Sequence, residues 1–182
     1  MTAIIDTSSL LAIVRYYLSI KGGEELLRFL EQKFMSRELV LLTSIHREAA
    51  RTQQGIALEK MPFLNEKSRR VDDSKLMPPA PKKFSNLLEN TFCIPLMRKR
   101  LSQDEFEQQK AAYMKTGDAR MVLYALNNPE LDPVIITEET AQSNDVKLFK
   151  KLPLICGYLD IKSMTIAQWL SANGMALKWA LQ

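Results

Sequence analysis

Short apolar runs along the chain, each followed by a helix start or by apolar residues at helical spacing, predict strands that alternate with helices. Residues 3–5 (Ala-Ile-Ile) form the first run, which ends at Asp6 and precedes a buried helix face. Residues 39–42 form a second run, and residues 133–137 form a mostly β-branched run typical of a strand buried on both faces. The alternation predicts an α/β fold with a mainly parallel sheet, in which helices connect the strands.

The middle of the chain carries weaker signals. Between residues 55 and 83 the helical spacing fades and prolines cluster at residues 77–81, which predicts an irregular segment. Residues 84–113 have helical spacing again, with a break expected at Pro95.

The C-terminal part of the chain predicts smaller elements. Residues 151–156 and 159–161 are strand or turn candidates, because their apolar runs are short. Residues 165–170 have helical spacing and predict a helix.

Composition indicates one folded domain. The chain has 182 residues, of which 46% are hydrophobic, and a single core accommodates this size and content. We therefore expect one domain over residues 1–182, with an irregular basic insertion at about residues 55–100. The apolar runs are shorter than the roughly 20 residues of a membrane-spanning helix, and the start lacks the features of a signal peptide. We expect a cytoplasmic protein without a membrane partner.

Basic charge is concentrated in this insertion. The net charge is +4, yet from Arg47 to Arg100 there are 12 Lys and Arg against 6 Asp and Glu. Such a segment permits a polyanionic partner without requiring one. Its candidate backbone-binding residues are Lys67, Arg69, Arg70, Lys82, Lys83, Arg98, Lys99 and Arg100. A solvated charged face is the alternative interpretation of residues 98–100.

Four acidic positions, widely separated in the sequence, fall near strand ends or helix starts. Asp6 ends the first predicted strand, and Glu138 and Glu139 follow the third. Glu48 lies in the helix after the second strand, and Asp118 begins a short helix. Because ligands bind beyond the carboxyl ends of parallel strands, we expect these acids to converge on one pocket.

Each acid also has a structural interpretation. Asp6 and Asp118 are residue types favoured at helix starts. Glu48 has Arg47 and Arg51 nearby, which is also typical of a solvated cluster of helical charges. The residues themselves do not decide whether Glu138 or Glu139 is the fourth acid.

Clustered carboxylates raise one another's pKa unless a positive charge lies among them. Mg²⁺ or Mn²⁺ supplies that charge and prefers carboxylate and water oxygens. Such a site activates water and stabilises the oxygens of a phosphodiester during hydrolysis. The acids therefore predict a metal site suited to phosphodiester cleavage.

Four motifs in this order resemble those of the PIN-domain ribonucleases. They are residues 4–8 (Ile-Ile-Asp-Thr-Ser), 44–49 (Ser-Ile-His-Arg-Glu-Ala), 117–119 (Gly-Asp-Ala) and 134–139 (Val-Ile-Ile-Thr-Glu-Glu). Residues 151–156 (Lys-Leu-Pro-Leu-Ile-Cys) are similar to a stretch in a VapC-like branch of these proteins, formerly of unknown function. The resemblance covers roughly the first 50 and the last 70 residues.

The resemblance implies a PIN-like, Rossmann-like three-layer fold and a metal-dependent endoribonuclease. It implies that Asp6, Glu48, Asp118 and Glu139 are the catalytic, metal-binding acids, and that the supporting hydroxyls are Thr7, Ser8 and Thr137. It further implies the toxin of a type II toxin-antitoxin pair, with an antitoxin protein as partner. Two features depart from the family pattern: Glu139 stands where many relatives have Asp, and the insertion lengthens the domain.

A homodimer is also expected. Tyr16, Tyr17 and Phe34 lie near the apolar faces of the first two predicted helices and offer a hydrophobic strip for self-association.

A different class of function also fits the sequence. A non-catalytic α/β module would bind nucleic acid or a protein partner through its basic middle, and its acids would serve the fold. Cleavage of RNA that depends on a divalent metal distinguishes the two.

Overall fold

The computed structural model describes residues 1–19, 22–141 and 147–175, and its centre is a parallel β-sheet. Within these residues the strands are β1 Thr2–Ile5, β2 Leu39–Leu42, β3 Arg70–Val71, β4 Pro133–Ile136 and β5 Lys162–Met164. They lie in the order β3-β2-β1-β4-β5, and each neighbouring pair is parallel. The predicted α/β fold with a mainly parallel sheet is confirmed.

Helices flank this sheet and give a Rossmann-like three-layer fold. The first five are α1 Thr7–Ala12, α2 Gly23–Met35, α3 Thr43–Arg51, α4 Ile56–Lys60 and α5 Pro81–Leu87. The others are α6 Pro95–Arg98, α7 Gln103–Tyr113, α8 Gly117–Asn127, α9 Leu152–Tyr158 and α10 Ile166–Ala172. The first and fifth helices continue as π-helical turns over Ile13–Tyr17 and Leu88–Phe92.

The three central strands are buried on both faces, which explains their continuous apolar sequence. Ile4 of β1 pairs with Val40 of β2 and with Ile135 of β4. All three side chains are at most 1% exposed. The same register places the carboxyl ends of β1 and β4 side by side, where Asp6 N–H donates to Ile136 O at 2.9 Å.

The prediction for residues 151–156 and 159–161 is wrong where it allowed strands. Residues 152–158 form α9, in which Pro153 occupies the first turn, a position that accepts proline because its missing N–H has no helical partner. Residues 159–161 form a turn, with Asp160 in the left-handed region at φ +57°. The strand is β5 just beyond it, and Thr165 caps the confirmed helix α10.

The middle segment is more ordered than its sequence predicts. Residues 56–69 form α4 and two 3₁₀ turns, and they bury Ala57, Leu58, Phe63 and Leu64 in the core. Residues 72–80 contain neither helix nor strand, so the irregular prediction holds there. The helices predicted for residues 84–113 are confirmed, including the new helix α7 capped by Ser102.

The aromatic strip expected at the first helices is only partly available. Phe34 is 1% exposed and packs in the core, so it cannot face a partner, whereas Tyr16 is 65% exposed. Among the residues that the structure describes, no helix is both long and apolar enough to cross a membrane.

Candidate active site

Asp6 is held at the carboxyl end of β1 by hydroxyl groups from two other segments. Its Oδ2 accepts hydrogen bonds from Ser8 Oγ at 2.5 Å and from Thr137 Oγ1 at 2.9 Å. Asp6 occupies the position before α1, but its carboxylate turns to these hydroxyls rather than to an amide of α1, all of whose residues are described. The helix-cap interpretation of its side chain therefore fails.

The structure separates the roles of Glu138 and Glu139. Glu138 Oε1 accepts hydrogen bonds from Ser9 Oγ at 3.2 Å and from Ile166 N at 2.8 Å, and so ties the start of α10 to α1. Glu139 Oε2 accepts from Leu152 N at 3.3 Å, and its side chain lines a cavity together with Asp118. Glu139 is the acid that joins the cluster, and Glu138 anchors a helix.

Asp118 lies in the first turn of α8, where the neighbouring Thr116 caps the helix by accepting from Ala119 N. Burial, followed by the charges of Asp6, Glu139 and Glu48, raises the pKa of Asp118 to about 7. Lys147 opposes this shift. These effects require the other three carboxylates to lie close to Asp118.

Glu48 is the most exposed of the four acids and lies on the central part of α3. Partial desolvation, then the charges of Asp6 and Glu139, raises its pKa, while Thr7 and Lys147 lower it. The structure thus brings Asp6, Glu48, Asp118 and Glu139 together at the carboxyl edge of the sheet, next to Thr7, Ser8 and Thr137.

Gly117 lets the helices of Glu48 and Asp118 approach each other. A Cβ at this position would lie 2.5 Å from Ile45 Cδ1 and 2.9 Å from Glu48 Oε2. Both contacts are closer than side chains normally allow, so a larger residue would push Glu48 away. The glycine of the Gly-Asp-Ala motif is therefore explained by the close approach of α3 and α8.

Asp73 is a site-positioning residue that sequence reasoning missed. It is 1% exposed in the irregular segment, and its Oδ1 accepts from Ser44 N at 3.1 Å at the start of α3. Arg120 of α8 donates to Asp73 O at 3.1 Å and to Leu76 O at 3.0 Å. This loop therefore ties the helix of Glu48 to the helix of Asp118.

Asp73→Ala is expected to lower the free energy of unfolding by about 1–2 kcal/mol, since it removes the cap of α3. Urea denaturation followed by circular dichroism measures the change. Asp72→Ala is the matched control, because Asp72 is exposed and its carboxylate accepts from Ser74 N within the same loop. Equal midpoints for the two variants would refute the capping role.

The eight predicted RNA-binding cations all lie within the described residues and fall into two groups. Arg69 pairs with Glu31 and Glu66, and Arg70 donates to Asn65 O. Arg98 donates to Leu101 O, and its guanidinium lies 4.1 Å from the centre of the Phe106 ring. The exposed members are Lys67, Lys82, Lys83, Lys99 and Arg100. Of the eight, Arg100 lines the cavity at the acids.

The cavity beside the acids has a volume of about 710 Å³. Asp118 and Glu139 form one part of its wall, and the cations around it are Arg100, Lys147, Lys150 and Lys151. The three lysines were missed as site residues. The signal that would have found them is the group of three lysines that lies within twelve residues after Glu139.

The residues present fit a partly hydrated divalent metal ion. Thr7 Oγ1 is buried without a hydrogen bond of normal geometry to any described residue, although it lies near enough to Glu48 to lower that pKa. As the described side chains stand, no three acidic, histidine or cysteine groups surround a point closely enough to hold a metal. Mg²⁺ usually retains several waters and takes one or two carboxylates, which is the arrangement that these acids allow.

Comparison with known proteins gives a family but no activity. Residues 4–177 match the model of a family described as a domain of unknown function (DUF4411). Because the match spans most of the chain, the chain belongs to this family. No curated protein and no solved structure matches it.

Proposed function

We propose that this member of the DUF4411 family is a metal-dependent endoribonuclease with a PIN-like active site. The observation that carries the proposal is the convergence of four acids at the carboxyl edge of a parallel sheet: Asp118 and Glu139 line one cavity, Glu48 lies against Gly117, and Thr137 bonds Asp6 beside Glu139. A site that concentrates negative charge in this way favours a divalent cation as its counter-charge. Phosphodiester hydrolysis is the reaction that such a cation and the surrounding lysines support together.

In the proposed reaction, one or two of the acids Asp6, Asp118, Glu139 and Glu48 would bind Mg²⁺ or Mn²⁺ directly, and the others would hold its waters. When bound, the ion lowers the pKa of water and stabilises negative charge on the phosphate. Ser8 and Thr137 fix the orientation of the Asp6 carboxylate through their hydrogen bonds. Lys147, whose charge already acts on Asp118 and Glu48, lies close enough to the acids to attract the RNA phosphate. Water would give up a proton as it adds to phosphorus, the bond to the leaving oxygen would break, and that oxygen would take up a proton.

The resemblance to the VapC-like toxins extends the proposal to a biological setting. The chain would act in the cytoplasm as the toxin of a type II pair, and an antitoxin protein would block its acidic site. A homodimer would use the exposed Tyr16. Sedimentation at micromolar concentration, with Tyr16→Ser as the variant, tests the dimer.

The proposal predicts that the purified chain cleaves a fluorescent single-stranded RNA with Mn²⁺ or Mg²⁺ and stops in EDTA. Glu139→Gln is expected to lower the rate by on the order of 100-fold, because it removes a charge that stabilises the metal-assisted transition state. Glu138→Gln is the matched control on the adjacent residue. It is expected to keep the cleavage rate and to lose about 1 kcal/mol of stability from its weakened hydrogen bonds.

Two outcomes would contradict this assignment. If the wild-type chain binds RNA equally in EDTA and never cleaves it with either metal, the chain is a non-catalytic binding module. If Glu138→Gln and Glu139→Gln lose cleavage equally while both remain folded, Glu139 is not distinguished as the fourth acid.

A further inference from the structure

The cavity beside the acids has an apolar interior. Its lining includes Met97, Leu101, Ala112, Leu148 and Phe149. Its volume of about 710 Å³ lies within the range of about 300–1,000 Å³ that is typical of small-molecule pockets. Because Asp118 and Glu139 border it, a group inside the cavity would lie next to the proposed cleavage site.

Two aromatic rings line the cavity. The ring centres of Tyr113 and Phe149 are 4.4 Å apart, with 32° between their planes. Both side chains are largely buried, at 9% and 8% exposed, so they form the floor of the cavity rather than an open stacking platform. They offer a base an apolar contact that does not depend on which base it is.

The rim of the cavity carries positive charge. Arg100 and Lys147 are exposed there, and Lys150 donates to the Tyr158 hydroxyl at 2.9 Å. The acids in the cavity wall would repel a phosphate inside the cavity, whereas the exposed cations would attract a phosphate at its rim. A nucleotide fits both the interior and the rim of the cavity. Its flat, neutral base would lie inside the cavity, and its phosphates would contact the cations at the rim.

We propose that this cavity binds one unstacked base of single-stranded RNA and that Arg100, Lys147 and Lys150 hold the adjoining phosphates. A base in a duplex is stacked and paired, so it cannot enter such a cavity without being flipped out. The inference rests on the proposed function and deepens it, since it assigns a base-binding subsite to the cavity beside the acids. Gln109, which is exposed and also lines the cavity, carries an amide able to distinguish one base from another.

A variant that fills the cavity tests the proposal. Ala112 is exposed on α7 and lines the cavity, so Ala112→Trp blocks it without removing a core side chain. Ala111→Trp is the matched control, because Ala111 is exposed on the same helix but is not part of the described lining. Binding of a fluorescein-labelled ten-nucleotide single strand, and of the duplex of the same length, is measured by anisotropy in EDTA.

The wild-type chain is expected to bind the single strand about tenfold or more tightly than the duplex. Ala112→Trp is expected to weaken single-strand binding by on the order of tenfold, the scale of one base in contact with aromatic side chains. Ala112→Leu fills less of the cavity and should give a smaller loss, whereas Ala111→Trp should change nothing. Melting curves verify that all three variants are folded.

The rim is tested through the salt dependence of the same binding. Lys147→Ala is expected to reduce the slope of log affinity against log salt by about 0.7, the value for one lost contact to a single-strand phosphate. Lys162→Ala is the control, because Lys162 pairs with Asp132 near the start of β4 and lies outside the cavity lining described here.

The proposal is overturned if duplex and single strand bind equally, or if Ala112→Trp binds the single strand as well as Ala111→Trp does. Because the binding is measured without metal, it is independent of cleavage. If the wild-type chain binds single-stranded RNA but does not cleave it when metal is added, the proposed ribonuclease is refuted and the base site is not. If Ala112→Trp binds and cleaves the RNA as well as the wild type does, the base site alone is refuted.

Discussion

Asp118→Asn is expected to abolish metal-dependent RNA cleavage and, at pH 8 without metal, to make the fold more stable than wild type. The loss of cleavage follows from removing a charge that the metal and the transition state need, and it should be at least on the order of 100-fold. The gain in stability follows from relieving repulsion among buried carboxylates. Cleavage of labelled RNA and urea denaturation in EDTA measure the two effects.

The direction of the stability change distinguishes a metal site from a helix-start residue. An acid in the first turn of a helix stabilises it by about 0.3–1 kcal/mol through the helix dipole, so neutralising it should destabilise the fold. Asp104 lies exposed in the first turn of α7 and is the matched control. We expect Asp104→Asn to lose this small amount at pH 8, and Asp118→Asn to gain stability. If both variants lose stability, the charge of Asp118 stabilises α8 through the helix dipole.

The strands that position the acids were predictable because each carries its own signal. β1, β2 and β4 are buried on both faces, and burial of this kind requires an unbroken apolar run. Asp6 directly follows such a run, and parallel strands end at one edge of a sheet, so the sequence alone predicts that Asp6 lies beside residues 137–139.

The edges of the sheet could not be predicted in the same way. β3 has two residues, and β5 exposes Lys162 and Ser163, so neither produces a run of buried apolar residues. α9 does have an apolar run, but the run does not identify the type of element. Its short apolar stretch fits a strand as well as a helix, and burial of Leu152, Ile155 and Cys156 on one side is visible only in the folded chain.

Roles within the site depended on contacts between distant residues. Glu138 and Glu139 are adjacent and chemically identical, and their roles differ because Ile166 N, 28 residues away, donates to Glu138. Asp73 is a single acid near a proline-rich stretch, and its role depends on Ser44 N, 29 residues earlier. No local sequence pattern predicts either contact. Sequence periodicity could therefore identify the acids, but not which of them joins the cluster and which holds another element in place.

The metal-free protein is expected to lose stability as the pH rises from about 5 to 8, and Mn²⁺ is expected to restore it. The pKa of Asp118 is about 7 in the folded chain and near 3.9 in the unfolded one. Between these values the folded state holds a proton that the unfolded state has lost, so stability falls as pH rises. At 1.36 kcal/mol per pH unit, the shift corresponds to about 4 kcal/mol at pH 8. The raised pKa of Glu48 acts in the same direction.

Other titratable groups change the stability with pH in the opposite direction. Because they are present in both wild type and Asp118→Asn, their contributions cancel in the difference between the two. Burial lowers the pKa of His46, so its contribution increases stability as pH rises through about 6.5. Exposed acids with lowered pKa values, such as Glu38 and Asp132, lose their contribution only at more acidic pH. Urea denaturation of wild type and Asp118→Asn at each pH in EDTA isolates the Asp118 contribution as the difference between the two curves.

Mn²⁺ completes the test because it binds the deprotonated carboxylates. A ligand at 100 times its dissociation constant stabilises the native state by about 2.7 kcal/mol. At pH 8 Asp118 is mostly deprotonated, so Mn²⁺ binds without displacing a proton from it. At pH 5 Asp118 is mostly protonated, and the ion competes with that proton. The stabilisation by a fixed Mn²⁺ concentration should therefore be larger at pH 8. A difference curve that is flat from pH 5 to 8, or Mn²⁺ stabilisation that is equal in Asp118→Asn, would show that Asp118 neither carries the raised pKa nor contributes to a metal site.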